Sequence, residues 1–264
     1  MITFKNYRMV ALRFLLKYFR FFLFLSISSN TIAQHLPSIQ TDRPDQTECP
    51  YIVPAKHFQL ESGFNYEYVN KDKQNYIHPT ALWKYGINNH FELRLITESV
   101  SSRINKINIS GILPVELGFK VALMEEKGIL PKTSFISHLS IPQISSKAFR
   151  TTYFAPNFRF TMLHSLSDHL SLSYNLGAEW DGENPEPIFI YTFAPAYSFT
   201  DRLGAYIELY GFAPQQQRAN HRADGGITYL VKNNIQLDIS GGFRITDNAP
   251  EFYGALGFSI RLPK

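Results

Sequence analysis

Cysteine is almost missing from this chain. Cys49 is the one thiol in 264 residues, so no disulfide can form within it and its stability has to come from another source. The first 33 residues hold no Asp or Glu, while Lys5, Arg8, Arg13, Lys17 and Arg20 all fall there. Without those five, 21 basic residues face 22 acidic ones, so the formal charge of +4 belongs to the N-terminal stretch and nucleic acid is not an expected partner. No apolar run is long enough to cross a bilayer as a helix, since Phe21 to Ile27 spans only seven residues. Also missing are His/Cys spacings of the metal-binding kind, glycine loops that cradle phosphate, and a Gly-x-Ser-x-Gly nucleophile elbow. No metal, cofactor or catalytic group is expected. Surface lipid hydrolysis by His138 with Ser140, or by His164 with Ser165, stands as the least favoured alternative, because neither pair has an acid beside it in sequence to orient the imidazole.

What the chain has in quantity is alternation. From Ile235 to Ile245 the positions Ile235, Leu237, Ile239, Gly241, Phe243 and Ile245 interleave with Gln236, Asp238, Ser240, Gly242 and Arg244, and the pattern returns from Phe252 to Leu262. A period of two puts the apolar set on one face of a strand and the polar set on the other. Twelve such stretches can be traced from His57 to Leu262, and aromatic residues, at 15%, suit strands. Short polar turns at Asn88-Asn89, Ser167-Asp168, Thr200-Asp201 and Lys232-Asn234 alternate with longer connections at Ser99–Gly111, Gln143–Thr151, Asp181–Pro187 and Ala213–His221. Tight turns at one end and longer loops at the other are the habit of a membrane-spanning barrel, with lipid outside and water inside. The expected fold is therefore all-β, a transmembrane antiparallel up-and-down barrel of about twelve strands. Its turns lie on the periplasmic side and its apolar faces meet outer-membrane lipid.

Residues 1–33 read as a cleaved signal peptide, with a basic start, a short apolar core and small residues before Ala33/Gln34; Met9 is an alternative start to Met1. Residues 34–56 form a proline-rich N-terminal periplasmic segment or plug-like motif, and residues 57–264 form the barrel. A solvated tail is the bland alternative for the segment. The inward-facing candidates are Glu61, Lys84, Glu92, Arg94, Glu116, Lys120, Arg159, Glu179, Glu208, Asp238 and Arg244. Charges in a narrow lumen must pair with one another or with water, so most of these read first as groups that hold the barrel together.

The stretch Thr41-Asp-Arg-Pro-Asp-Gln-Thr-Glu, then Pro50 and Phe58-Gln-Leu-Glu-Ser-Gly-Phe, resembles the start of bacterial outer-membrane proteins grouped under the MetA pathway of phenol degradation and often labelled transporter. The matching positions are Asp42, Arg43, Pro44, Asp45, Thr47, Glu61 and Gly63, and Cys49 departs from the small polar residue expected there. The resemblance implies an outer-membrane barrel that passes or binds small solutes, aromatic or hydrophobic ones among them. A non-transporting structural or adhesive barrel, working through Ser99–Gly111 and Ala213–His221, is the alternative.

Overall fold

A computed structural model describes residues 36–262, and its compact body begins at Ser38; the signal-peptide reading of residues 1–33 lies outside the described residues. The body is one antiparallel sheet closed on itself. Its strands are β1 Phe58–Asn70, β2 Lys73–Asn88, β3 Phe91–Ile104, β4 Ile107–Ile112, β5 Val115–Met124, β6 Lys132–Ile141, β7 Ala155–Ser165, β8 Leu170–Glu179, β9 Ile188–Ser198, β10 Leu203–Pro214, β11 Asn220–Lys232, β12 Ile235–Arg244 and β13 Phe252–Leu262. Both β4 and β5 pair with β3, from Ser99↔Ile112 at one end to Phe91↔Val121 at the other. The break at Leu113-Pro114 thus divides one stave, and the barrel has twelve. The ring closes where β1 meets β13, from Phe58↔Leu262 to Tyr68↔Phe252.

Closure gives every strand but β4 a strand partner on both edges, which is the condition for standing in hydrocarbon. The two faces are inverted relative to a water-soluble protein. On β10 Ile207 is 68% exposed while Glu208 beside it is 2% exposed, and on β12 Ile239 is 57% exposed beside Asp238 at 6%. Large apolar groups thus face outward and charges inward, which suits lipid around the ring and would be costly in water. Rings reinforce the outer face: Phe91, Phe119, Phe135 and Phe158 follow one another across β3, β5, β6 and β7 at centroid distances of 5.7, 6.2 and 6.2 Å.

One sequence expectation is corrected. Ser99–Gly111 is not a loop: β3 runs on to Ile104, turns at Asn105-Lys106, both with positive φ (48° and 69°), and returns as β4. The sequence hides this because Ser101, Ser102, Arg103, Asn108 and Ser110 put polar groups on both faces, as suits strands rising beyond lipid. β1 and β2 likewise extend to a turn at Lys71-Asp72, where Asn70 Oδ1 accepts from the amides of Asp72 and Lys73. The parity of long and short connections is therefore expressed at this end partly as strand overhang. We call the end with turns at 89–90, 166–169, 199–202 and 233–234 the turn end, and the other the loop end.

The wall makes a measurable claim. Ile207→Arg, in the middle of β10, should destabilise the barrel in lipid vesicles by about 2–4 kcal/mol in urea unfolding. The same change at Ile107, in the overhang, should cost about 1 kcal/mol or less.

Candidate functional site: the lumen and its inserted segment

Residues 38–56 run into the barrel from the turn end, cross the lumen and come back to the start of β1. Pro44, Pro50 and Pro54 keep them from forming helix or strand, and each removes an amide that would otherwise need a partner inside the barrel. The remaining polar groups bond largely to the wall. Ile39 N donates to Asn233 O at 2.8 Å, Gln59 Nε2 donates to Gln40 O at 2.7 Å, and Gln236 Nε2 donates to Thr41 Oγ1 at 2.8 Å. The amides of Asp42 and Arg43 both donate to Glu61 Oε2, at 2.9 and 3.0 Å.

Asp42 sits at the centre of the inner charges. Its carboxylate lies 2.9 Å from Lys84 Nζ, Arg94 Nη1 and Lys120 Nζ alike, and the Cys49 amide donates to it at 3.0 Å. Burial opposes its ionisation, yet the charges of Lys120, Lys84 and Arg94 outweigh that and hold the carboxyl well below the usual range. Lys84 also bonds Glu61, and Arg94 reaches Glu92 at 3.0 Å and Glu48 at 2.7 Å. Three cations thus pair with four carboxylates, all of them buried except Glu48, whose side chain is 17% exposed. Cys49 is drawn into the same place: burial, with Asp42 next, pushes its thiol up to about 12, which makes it an inert group.

Arg43 lays its fork on Asp238, Nη2 to Oδ1 at 2.7 Å and Nε to Oδ2 at 3.2 Å. Space for the guanidinium comes from Gly63 and Gly257, cross-strand partners on β1 and β13, where an added Cβ would meet it at 2.6 and 2.4 Å. At the far bend Gln46 N donates to Glu208 Oε2 at 2.9 Å, Thr47 Oγ1 is 2.6 Å from both Glu208 Oε1 and Thr192 Oγ1, and Asn175 exchanges two bonds with the Glu48 backbone. Arg159 donates to Gln46 O at 3.0 Å. The return arm is fixed by Ser134 Oγ to Pro50 O at 2.6 Å, Val53 N to Glu92 Oε2 at 2.8 Å and Lys56 N to Gly86 O at 2.7 Å.

Of the charged positions expected to face the lumen, Glu61, Lys84, Glu92, Arg94, Lys120, Arg159, Glu208 and Asp238 are brought together around this segment. The other three lie nearer the loop end: Glu116 accepts from Asn157 at 3.0 Å, Glu179 is 3.9 Å from Arg159, and Arg244 is 3.9 Å from Glu251 at the rim. Uncharged inner groups that charge-based reading passed over, Gln59, Ser134, Asn175, Thr192 and Gln236, hold the segment as well; their signal was their inward position in the alternation. His138 is not paired with Ser140. Its Nε2 accepts from Arg94 at 3.0 Å and its Nδ1 meets Asn157 Oδ1 at 3.1 Å, while His164 bonds Tyr174 and Ser165 bonds Glu126. Neither His–Ser pair has the geometry of a hydrolase, which corrects that alternative. Toward the loop end a cavity of about 510 Å³ opens between Glu179, Phe212, Asn220 and Arg222.

The family described as "Putative MetA-pathway of phenol degradation" matches residues 41–262. Among solved structures, an outer-membrane channel from Pseudomonas putida F1 is similar over 84% of this chain and 100% of its own, with TM-score 0.66 and 11% identity. The NanC porin is similar over 78% and 100%, with TM-score 0.54 and 10% identity, and the KdgM porin over 76% and 98%, with TM-score 0.50 and 10% identity. These likenesses show the fold, an outer-membrane barrel. No curated protein matches the chain in sequence.

Proposed function

The chain belongs to the family described as "Putative MetA-pathway of phenol degradation", and from that membership and the occupied lumen we propose that it is an outer-membrane channel for small solutes, aromatic or hydrophobic ones among them, closed at rest by residues 38–56. The observation that carries the reading is the bed itself. A barrel that served only as scaffold or adhesin could fill its lumen with side chains, whereas this one keeps a broad lumen and stops it with a separable strand of chain held by polar bonds and ion pairs. Polar contacts of this kind can be exchanged for water, so the segment can leave without exposing an apolar core. The chain is exported to the outer membrane by its N-terminal 33 residues, and the turn end, where the segment enters, faces the periplasm. No chemical step is assigned to it.

Deletion of residues 38–56 behind an intact export signal is the test. In planar bilayers the full chain should show rare, small openings, and the deleted chain a steady and larger conductance. Liposome swelling should then report passage of phenol-sized solutes. A barrel that folds without the segment and still conducts nothing would rule the channel out.

A further inference from the structure

The loop end is electrically lopsided. The tips of the β1–β2 and β3–β4 hairpins and the connection from β6 to β7 carry Lys71, Lys73, Arg103, Lys106, Lys147 and Arg150, all exposed, against the single acid Asp72. Among the described residues none of these six cations has a carboxylate within ion-pairing distance. The other half of the rim, residues 181–187, 215–219 and 245–251, holds Asp181, Glu183, Glu186, Asp247 and Glu251 against Arg218. Charges placed for solubility alone need no such sorting.

Backbone bonds hold the cations together. Asn105 N donates to Asp72 O at 2.8 Å and Lys73 pairs with Ile104, so the two hairpin tips stand side by side. Residues 143–150 lie against the open edge of β4, where Ser146 N donates to Ile112 O at 3.0 Å and Ile112 N donates to Ser146 Oγ at 2.9 Å. Beneath these cations the outer face of the wall changes character in steps. Leu93 and Leu95 face lipid; above them the rings of Tyr66 and Tyr76 lie 4.9 Å apart and Phe64 stacks on His78 at 6.4 Å, as aromatic groups do at a bilayer edge. His78 Nε2 then meets Ser101 Oγ at 2.9 Å and Ser101 Oγ meets Ser110 Oγ at 2.7 Å, an exposed polar chain on the outside of the barrel. Arg103 faces outward one step higher, because Ser102, buried and bonded to Asn75, takes the inward position.

Apolar, aromatic, hydroxyl and cationic groups thus follow one another outward along β1–β4. That is the order of acyl chain, interface, sugar and phosphate in a phosphorylated glycolipid. We propose that this face, with Arg103, Lys106 and Lys147 at its head, binds the phosphate groups of a phosphorylated glycolipid in the outer leaflet of the membrane. A guanidinium takes phosphate through paired N–H donors, each ammonium adds a point charge, and basic clusters at a membrane surface draw anionic head groups. A free phosphate would find the cations but leave the polar and aromatic bands below them unused. The site lies outside the lumen and rests on the loop end facing away from the periplasm, not on passage of any solute.

Native mass spectrometry of the full chain in detergent, titrated with bisphosphorylated lipid A, its monophosphorylated form and phosphatidylcholine, tests the site. Bisphosphorylated lipid A should bind most tightly, the monophosphorylated form several-fold more weakly, and phosphatidylcholine not at all. Arg103→Gln, Lys106→Gln and Lys147→Gln combined should weaken lipid A binding about tenfold or more. Arg103→Gln alone, the milder change, should weaken it several-fold, and Arg218→Gln on the other half of the rim should leave it unchanged. Circular dichroism checks that each variant remains a barrel. Equal binding of the three lipids, no binding, lipid A binding unchanged in both the triple and the single variant, or displacement of lipid A by millimolar inorganic phosphate would each overturn the site. Maleimide labelling of Lys106→Cys on intact cells, with the unaltered chain as blank, reads the orientation by itself. Absence of labelling would put the cations in the periplasm and overturn the glycolipid as their occupant, whatever the conductance of the barrel.

Discussion

Asp42→Ala unseats the inserted segment. The variant should cost the docked state about 3–5 kcal/mol, because Lys84, Arg94 and Lys120 keep their charges inside the lumen and lose the carboxylate they share. Glu61 and Glu92 remain to meet Lys84 and Arg94, but Lys120 keeps only Glu92, at 4.0 Å, and the backbone oxygens of Cys49 and Tyr51. The cheapest relief is for water to enter and the segment to leave. Limited proteolysis should then cut between residues 38 and 56 while the strands stay protected, and bilayer conductance should rise toward that of the deleted chain. Removing a cation together with the acid, as in Asp42→Asn with Lys120→Met, should restore part of the loss, since a paired deletion leaves less unpaired charge than a single one.

The same carboxyl gives a pH dependence with a definite sign. Its folded value lies below the ordinary one, so its contribution is complete above the ordinary value and is lost as pH falls through the folded value. Asp45 works in the opposite sense. Its folded value is raised by burial and then by the charge of Glu208, so its contribution is complete below the ordinary value and is lost as pH rises through the folded one. Protease access to residues 38–56 should therefore increase at both extremes, and the paired Asp42→Asn, Lys120→Met variant should flatten only the acid limb.

Gly86→Ala is expected to displace the return arm. A methyl group there would lie 2.2 Å from Val53 O and 2.4 Å from Pro54 O. These are backbone atoms, fixed on one side by Val53 N on Glu92 and on the other by Lys56 N on Gly86 O, so no side-chain rotation relieves the clash. Overpacking of this kind costs about 1–3 kcal/mol, and here the cost falls on the docked arm rather than on the wall. The control is Gly254→Ala on β13, where nothing lies within 4 Å of the new methyl; it should leave proteolysis and conductance unchanged. If both variants behaved alike, the tight approach at Gly86 would not be what holds the arm.

The barrel was legible because lipid demands an apolar residue at every second position of a strand, and Ile235–Arg244 or Phe252–Leu262 meet that demand without interruption. Where the demand lapses, so did the reading. Ser99 to Gly111 rises beyond the bilayer, loses its greasy face, and looked like a loop. The residues of the site were legible as a set, since Lys84, Arg94 and Lys120 fall on the polar face of strands whose other face is apolar. What no period could reveal is which acid they meet. Asp42 lies 42, 52 and 78 positions from them and is joined to them only by the entry of residues 38–56 into the lumen. The same holds for Gly63 and Gly257, whose shared lack of a side chain means nothing until Arg43 is placed between them.

That last pairing sets an order of events. The niche for Arg43 is half built by β1 and half by β13, the first and last staves of the chain, with Asp238 contributed by the strand before the end. Arg43 therefore has no seat until the C-terminal strand has been laid against β1. Insertion of the segment comes after the ring is complete, and a chain cut short before Phe252 would assemble, if at all, with its leading end still in the water.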